Sequence, residues 1–456
     1  MHIPCALLVS LAGFAAARRA ADLDISPDEA RKYGCSETCL RVYHETRRLE
    51  QQVFGVDFDF DFYETAANLS GSRPGDVLKM QALDPSTLAV SPGTTAYRMQ
   101  YTSEDLDGSP VPVTGFIAFP YTAKRWRRGG ASRGPDVFRL AAWAHGTTGI
   151  YAGCAPSNGP TLYHGPWQAL VNQGYAVVAT DYAGIGNNFT GHKYLSFSAQ
   201  AADVYYSVVA AKKAFGHLLS RDWVGVGHSQ GGGAVWRLSE RPDVQPRAAG
   251  YLGTVAISPA THVVDMLLKN LTDYPIPSFV TVVPEVVGRA VPSYDRTFLT
   301  PRAQGRVDLA RNAQVCFASQ IGLAEDLSRD QVVDHAALER DMPVFENWQR
   351  SQAPALGAPS SSPVLVIHGQ ADRVVPQQTV REAWARSCAS GNEVHLSYFP
   401  GMGHGAVVEA SMLRWMDWID GLFSAERATA NSTCSLTVEE PFDAEHMRAP
   451  LDVLKV

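Results

Sequence analysis

The stretch Trp223-Val224-Gly225-Val226-Gly227-His228-Ser229-Gln230-Gly231-Gly232-Gly233-Ala234-Val235-Trp236 decides how the rest of the chain is read. A short apolar run, read as a buried strand, leads into Gly227-His228-Ser229-Gln230-Gly231, and the residues from Gly232 continue as a helix. The pentapeptide fits Gly-x-Ser-x-Gly, which alone is a weak signal and gains weight from its place between strand and helix. A serine hydroxyl is a poor nucleophile until a base takes its proton. A sharp strand-to-helix turn lifts Oγ clear of a sheet, and small neighbours are needed because the backbone folds tightly there. The helix N-terminus also brings backbone N–H groups beside a developing oxyanion. The bland alternative is a glycine-rich turn with an idle serine.

If Ser229 is a nucleophile, an acid and then a histidine should follow it along the chain. Both occur where strands end. Pro363-Val364-Leu365-Val366-Ile367-His368-Gly369-Gln370-Ala371-Asp372 is a buried run followed by a loop acid, and Val394-His395-Leu396-Ser397-Tyr398-Phe399 leads to the glycine-flanked His404. We read His404 as the general base and later the general acid, with Asp372 orienting its ring and stabilising the imidazolium. His395 lies within a strand and is read as a packed side chain. His335, beside Asp334, is read as part of a surface helix, and Asp181 as an acid that fixes its loop by hydrogen bonds.

An oxyanion hole needs two donors. One is expected from the N–H of Gln230, the residue after the nucleophile. The other is expected from the N–H of Thr147, in the loop Ala144-His145-Gly146-Thr147-Thr148-Gly149 after an early strand; His145 is read as structural at that turn. The sequence has neither Cys-x-x-Cys nor His-Glu-x-x-His, and no Gly-x-Gly-x-x-Gly follows a first strand. No metal and no cofactor are expected.

Working outward, six apolar runs (138–144, 175–180, 223–226, 253–257, 364–367, 394–398) alternate with helical patterns (166–173, 198–215, 232–239, 379–388, 406–423). Buried runs alternating with helices predict an α/β fold, a mostly parallel sheet with helices on both faces. Before them, Tyr97–Tyr101 alternates, Asp105-Leu106-Asp107-Gly108 reads as a hairpin turn, and 111–119 as the returning strand. Residues 57–62 alternate acid and aromatic, which suits an edge strand or a loop. Residues 124–133 read as a basic, solvated connection. About a hundred residues, 261–362, separate the fourth run from the fifth, too long for a structureless loop in a compact domain. They predict an inserted subdomain, apolar over 276–291 and helical over 307–321 and 329–340.

The 456 residues are 45% apolar and 19% charged, enough to bury a sizeable core. Basic and acidic residues number 39 and 46, and no Lys/Arg run is long enough to track a phosphate backbone, which argues against nucleic acid. Residues 1–17 are mostly apolar and end Ala15-Ala16-Ala17 before Arg18-Arg19. That is short for a membrane span and reads as a secretory signal cleaved near Ala17. Its removal takes Cys5 and leaves six cysteines (35, 39, 154, 316, 388 and 434), a set that fits three disulfides in any of 15 pairings. Four sequons, at Asn68, Asn188, Asn270 and Asn431, agree with a secreted glycoprotein.

The chain resembles the secretory lipase family of α/β-hydrolases, the "lipase A" type. The resemblance runs from Arg73-Pro74-Gly75-Asp76-Val77-Leu78 through Tyr97-Arg98-Met99-Gln100-Tyr101-Thr102-Ser103. It continues through Trp143-Ala144-His145-Gly146-Thr147-Thr148-Gly149, Cys154-Ala155-Pro156-Ser157 and Thr180-Asp181-Tyr182-Ala183-Gly184-Ile185-Gly186, to the motifs of Ser229, Asp372 and His404. It implies a helical lid inserted where 261–362 falls, and hydrolysis of acylglycerols or simpler esters outside the cell. The expected order is signal 1–17, extension 18–75, core 76–260, lid 261–362, core 363–424 and tail 425–456. The expected partners are an ester substrate and, through the lid, a lipid–water interface without stable membrane insertion. Peptidase, acyltransferase and silent binding protein are the competing readings on the same fold.

Overall fold

Each of the six apolar runs is part of a strand in the structure, a computed structural model that describes residues 19–123, 137–163, 165–424 and 433–448. The strands are β1 (Val77–Ala82), β2 (Thr95–Glu104), β3 (Pro110–Phe119), β4 (Phe138–Ala144), β5 (Ala176–Thr180), β6 (Leu219–His228), β7 (Tyr251–Ile257), β8 (Val364–Gly369), β9 (Val394–Phe399) and β10 (Cys434–Val438). They form one sheet in the order β1-β2-β3-β5-β4-β6-β7-β8-β9-β10. β1, β2, β3 and β5 pair antiparallel; from β5 through β4 to β10 every pairing is parallel. The hairpin turn read at 105–108 joins β2 to β3, closed by Asp105 N–H donating to Ser109 O at 2.9 Å.

The runs are apolar throughout because both faces of the sheet are covered. Along β4, Leu140, Ala142 and Ala144 face one core, and Ala141 and Trp143 face the other. The first core is closed by α5 (Phe197–Phe215) and α6 (Gln230–Ser239), the second by α4 (Trp167–Asn172), α13 (Ala406–Ala410) and α14 (Met412–Ser424). α12 (Gln377–Ala389) lies between β8 and β9 in the chain. The single helix expected over 406–423 is broken at Ser411, whose hydroxyl donates to Val407 O at 2.6 Å while its carbonyl accepts from Trp415 N.

Residues 264–352 hold no strand and run as a π-turn (Val264–Leu268), a 3-10 stretch (Pro277–Val282), α7 (Val283–Ala290), α8 (Pro301–Ala313), α9 (Phe317–Gly322), α10 (Arg329–Val332) and α11 (His335–Gln352). The helical pattern over 307–321 divides where Gln314 turns left-handed, at φ +51°. N-terminal to the sheet lie α1 (Pro27–Lys32), α2 (Glu37–Phe54) and α3 (Phe60–Tyr63). Their apolar side packs on this inserted block: Ile25, Cys39 and Tyr43 share a core with Leu309, Val315 and Leu323.

Two expectations are corrected. The acid–aromatic alternation at 57–62 is no strand: Asp59 caps α3 through the N–H of Phe62 (3.1 Å), and Phe58, Phe62 and Tyr63 cluster around Ala155 and Ile185. The segment read as a polar tail contains β10, which extends the sheet beyond β9 and is tied to α12 by Cys388–Cys434. Five half-exposed residues carry too little apolar pattern to announce a strand. The other disulfides are Cys35–Cys39 and Cys154–Cys316. The signal expected at 1–17, the basic loop 124–133 and the sequon Asn431 lie outside the described residues.

Candidate active site

Ser229 stands between β6 and α6 with φ +58° and ψ −119°, a backbone conformation that costs a non-glycine residue about 1–3 kcal/mol. The surroundings enforce it. Ser229 N–H donates to Ile257 O at 2.9 Å, and its carbonyl accepts from Gly233 and Ala260. The flanking glycines are required by contact: a Cβ on Gly227 would lie 2.2 Å from Gly231 O, and one on Gly231 1.9 Å from Ala144 O.

His404 lies on the loop after β9 and Asp372 on the loop after β8. His404 Nδ1–H donates to Asp372 Oδ2 at 2.7 Å, while Asp372 Oδ1 accepts from the N–H groups of Val374 and Val375, each at 2.9 Å. Burial alone would raise the Asp372 pKa, but nearby His404, its hydrogen bond and His368 outweigh that and hold it below the ordinary carboxylate value. The His404 loop is tied to the serine turn through His228. His228 Nε2–H donates to His404 O at 3.0 Å, and the two rings lie 4.8 Å apart. Burial, aided by His404, pushes His228 down to about 3, so it is uncharged at neutral pH. Among the described residues the Ser229 hydroxyl forms no hydrogen bond. Catalytic hydrogen bonds often tighten only when substrate binds.

The loop carrying Thr147 passes against the serine: a Cβ on Gly146 would be 3.5 Å from Ser229 Cβ. Among the described residues neither the N–H of Thr147, on the loop after β4, nor that of Gln230, at the start of α6, meets an acceptor. The ring nitrogens of His145 face backbone carbonyls, Nδ1 that of Gly146 at 2.6 Å and Nε2 that of Asp181 at 3.4 Å, and burial pushes its pKa down to about 4. Asp181 accepts from Ser157 N (3.0 Å) and Thr114 Oγ1 (2.7 Å) and faces neither His404 nor Ser229 by any bond. His395 bonds Ser435 on β10 at 2.7 Å, and His335 begins α11 in the open.

The sequence reading passed over His228, His368, His192 and Tyr194. His368 is buried 3.9 Å from Asp372 Oδ2, with burial holding it near 4. A histidine directly before the serine is visible in the motif, and His368 stands four residues before Asp372; His192 and Tyr194 carry no sequence signal because only folding brings them to the site. Between Thr147, Ile150 and Tyr194 of the core and Phe279, Val282 and Phe317 of the inserted block lies a narrow apolar cavity of about 10 Å³. That is room for about one water. The block is pinned at this wall by Cys154–Cys316 and by Phe317 N–H donating to Thr148 O at 2.9 Å. Among the described residues no group of three or more His, Cys, Asp or Glu side chains could hold a metal, and no helix is long and apolar enough to cross a membrane.

The strand order, the turn at Ser229 and the loops at the strand ends define the α/β-hydrolase fold. The chain belongs to the serine aminopeptidase S33 family of hydrolases, whose model matches residues 161–411, more than half of it. No curated protein sequence matches the chain. Among solved structures, Candida antarctica lipase A in its closed state superposes with a TM-score of 0.64 at 17% identity, over 84% of this chain and 90% of that one. The rice cell wall degrading esterase LipA of Xanthomonas oryzae gives 0.59 at 18% identity, over 78% and 98%. A putative hydrolase of Legionella pneumophila gives 0.60 at 16% identity, over 78% and 99%.

Proposed function

We propose that the chain is a serine carboxylester hydrolase that cleaves acylglycerols or related esters outside the cell through an acyl-enzyme. The observation that carries this reading is the His404–Asp372 pair anchored beside the strained turn of Ser229. Ser229 Oγ attacks the ester carbonyl carbon while His404 Nε2 takes its proton. The N–H groups of Gln230 and Thr147 donate to the carbonyl oxygen as it becomes an oxyanion. Collapse breaks the bond to the alcohol, which leaves with the proton from His404. Water, giving its proton to the same nitrogen, then attacks the acyl-enzyme and releases the acid. Asp372 holds the ring by Nδ1 and stabilises the imidazolium in both halves.

The apolar side chains that line the narrow cavity between Thr147 and the inserted block suit an acyl chain, and the block 261–362 acts as a lid that must open to make room for one. Similarity to the Candida antarctica lipase and the Xanthomonas oryzae esterase points the same way. The signal-like residues 1–17, the sequons and three disulfides support export. The family description favours a second reading, an aminopeptidase. Such an enzyme needs an anionic group to receive the substrate ammonium, and cleavage of an aminoacyl anilide tests for it.

p-Nitrophenyl esters of short and long chain, dissolved and emulsified, assayed beside an aminoacyl anilide, test the proposal. Ester turnover well above anilide turnover is expected, with a preference for longer chains. Faster anilide cleavage would make the protein a peptidase. No turnover of either, with no labelling by an organophosphate, would remove both readings.

A further inference from the structure

Both candidate oxyanion donors are gripped by one short segment of the loop between β5 and α5. Gln230 is held by its side chain: its Nε2 lies 3.2 Å from His192 Nε2. Thr147 is held likewise, its Oγ1 lying 2.7 Å from Tyr194 Oη. The ring state of His192 follows from its other nitrogen. Nδ1 faces Ala183 O at 2.9 Å, and a carbonyl only accepts, so Nδ1 carries the proton and Nε2 is a bare acceptor for the Gln230 amide. Burial keeps the imidazole in that neutral form, with its pKa near 3. Both His192 and Tyr194 are almost fully buried. The segment is braced from the far side, where Arg289 of α7 donates to His192 O (3.1 Å) and Ile150 O (2.9 Å).

We infer that His192 and Tyr194 are positioning residues of the oxyanion hole, His192 fixing the peptide that carries the Gln230 donor and Tyr194 the one that carries the Thr147 donor. The two donors come from different loops, after β4 and after β6, whose strands pair only as far as Ala144 and Gly227, three residues before each donor. Beyond that pairing a common brace on a third loop holds them. The inference rests on the ester-hydrolase reading of Ser229. It adds that the hole owes its geometry to side chains that touch neither the attacking oxygen nor the oxyanion.

Tyr194→Phe removes one hydroxyl and keeps the ring; His192→Gln replaces one acceptor with another. Steady-state turnover of p-nitrophenyl butyrate would be measured with three other quantities. These are the affinity of an alkyl trifluoromethyl ketone, whose adduct with Ser229 places an oxyanion in the hole, the inhibition constant of the matching alkyl alcohol, and the thermal midpoint. For Tyr194→Phe we expect kcat to fall about tenfold or more with KM nearly unchanged, as a donor displaced by a fraction of an ångström predicts. Ketone affinity should fall in parallel, with alcohol inhibition and the midpoint held. His192→Gln should keep more of the activity than His192→Phe. Wild-type kcat and ketone affinity in Tyr194→Phe would overturn the inference. So would equal losses for ketone and alcohol, or unfolding at assay temperature, each of which assigns the hydroxyl to general structure. A wild-type protein without ester turnover would defeat the underlying reading and the inference with it; an active one with unaffected variants defeats the inference alone.

Discussion

At Ser229 the chain accepts a left-handed backbone that a serine does not favour, and three main-chain hydrogen bonds hold it there. Ser229→Ala keeps those bonds and loses the oxygen. We therefore expect a folded protein whose ester turnover falls by about 10⁴ or more, measured beside its unchanged circular dichroism. The two buried aspartates should respond in opposite ways. Asp372→Asn presents an amide to His404 Nδ1 and favours the wrong tautomer, so kcat should drop by about 10³–10⁴ with little loss of stability. Asp181 accepts from Thr114 and Ser157 far from the proton transfer, so Asp181→Asn should cost about 1–3 kcal/mol of stability and spare kcat in the protein that remains folded. Denaturant midpoints and kcat on the same preparations separate the two. The reverse pattern would move the orienting acid from β8 to β5.

At the scale of single elements, α5 carries an acid whose burial can be read through pH. Asp203 Oδ2 accepts from Ala183 N at 2.9 Å, and burial pushes its pKa from 3.8 up to about 7. The folded state thus holds a proton that the unfolded chain gives up. Its contribution is fully present below about pH 3.8 and is lost as the pH rises through about 7. Asp203→Asn, neutral at every pH, should raise the thermal midpoint at pH 8 more than at pH 5; equal gains at both would contradict the shift. The elements themselves were legible in proportion to their burial. β4 to β9 are apolar on both faces and stood out as runs, whereas β10, half-exposed, resembles any polar linker. The helix breaks at Ser411 and Gln314 depend on single side-chain or left-handed choices that periodicity averages away. In the proposed site, Ser229, Asp372 and His404 are marked by motif and strand ends, whereas His192 and Tyr194 bond partners 38 and 47 residues distant.

Across the whole molecule, covalent links join parts that the chain order separates. Cys154–Cys316 spans 162 residues and fixes one wall of the apolar cavity to the core, while Cys388–Cys434 fixes the sheet edge. Intact-mass analysis of the processed protein should show a gain of six hydrogens on reduction, and free thiols in the native protein would contradict the three pairs. Replacing both Cys154 and Cys316 by alanine should cost about 3–5 kcal/mol of stability, read from the denaturant midpoint.

Because β10 follows β9 only after two helices and the residues beyond them, a nascent chain leaving the ribosome exposes the hydrogen-bonding rim of β9 for the time taken to synthesise some 35 residues. An unpaired parallel rim of that kind is a template for the same strand of a neighbouring nascent chain. Heterologous production that stalls or proteolyses the C-terminal segment should therefore yield inclusion bodies, even though every residue of the proposed chemistry has already been made.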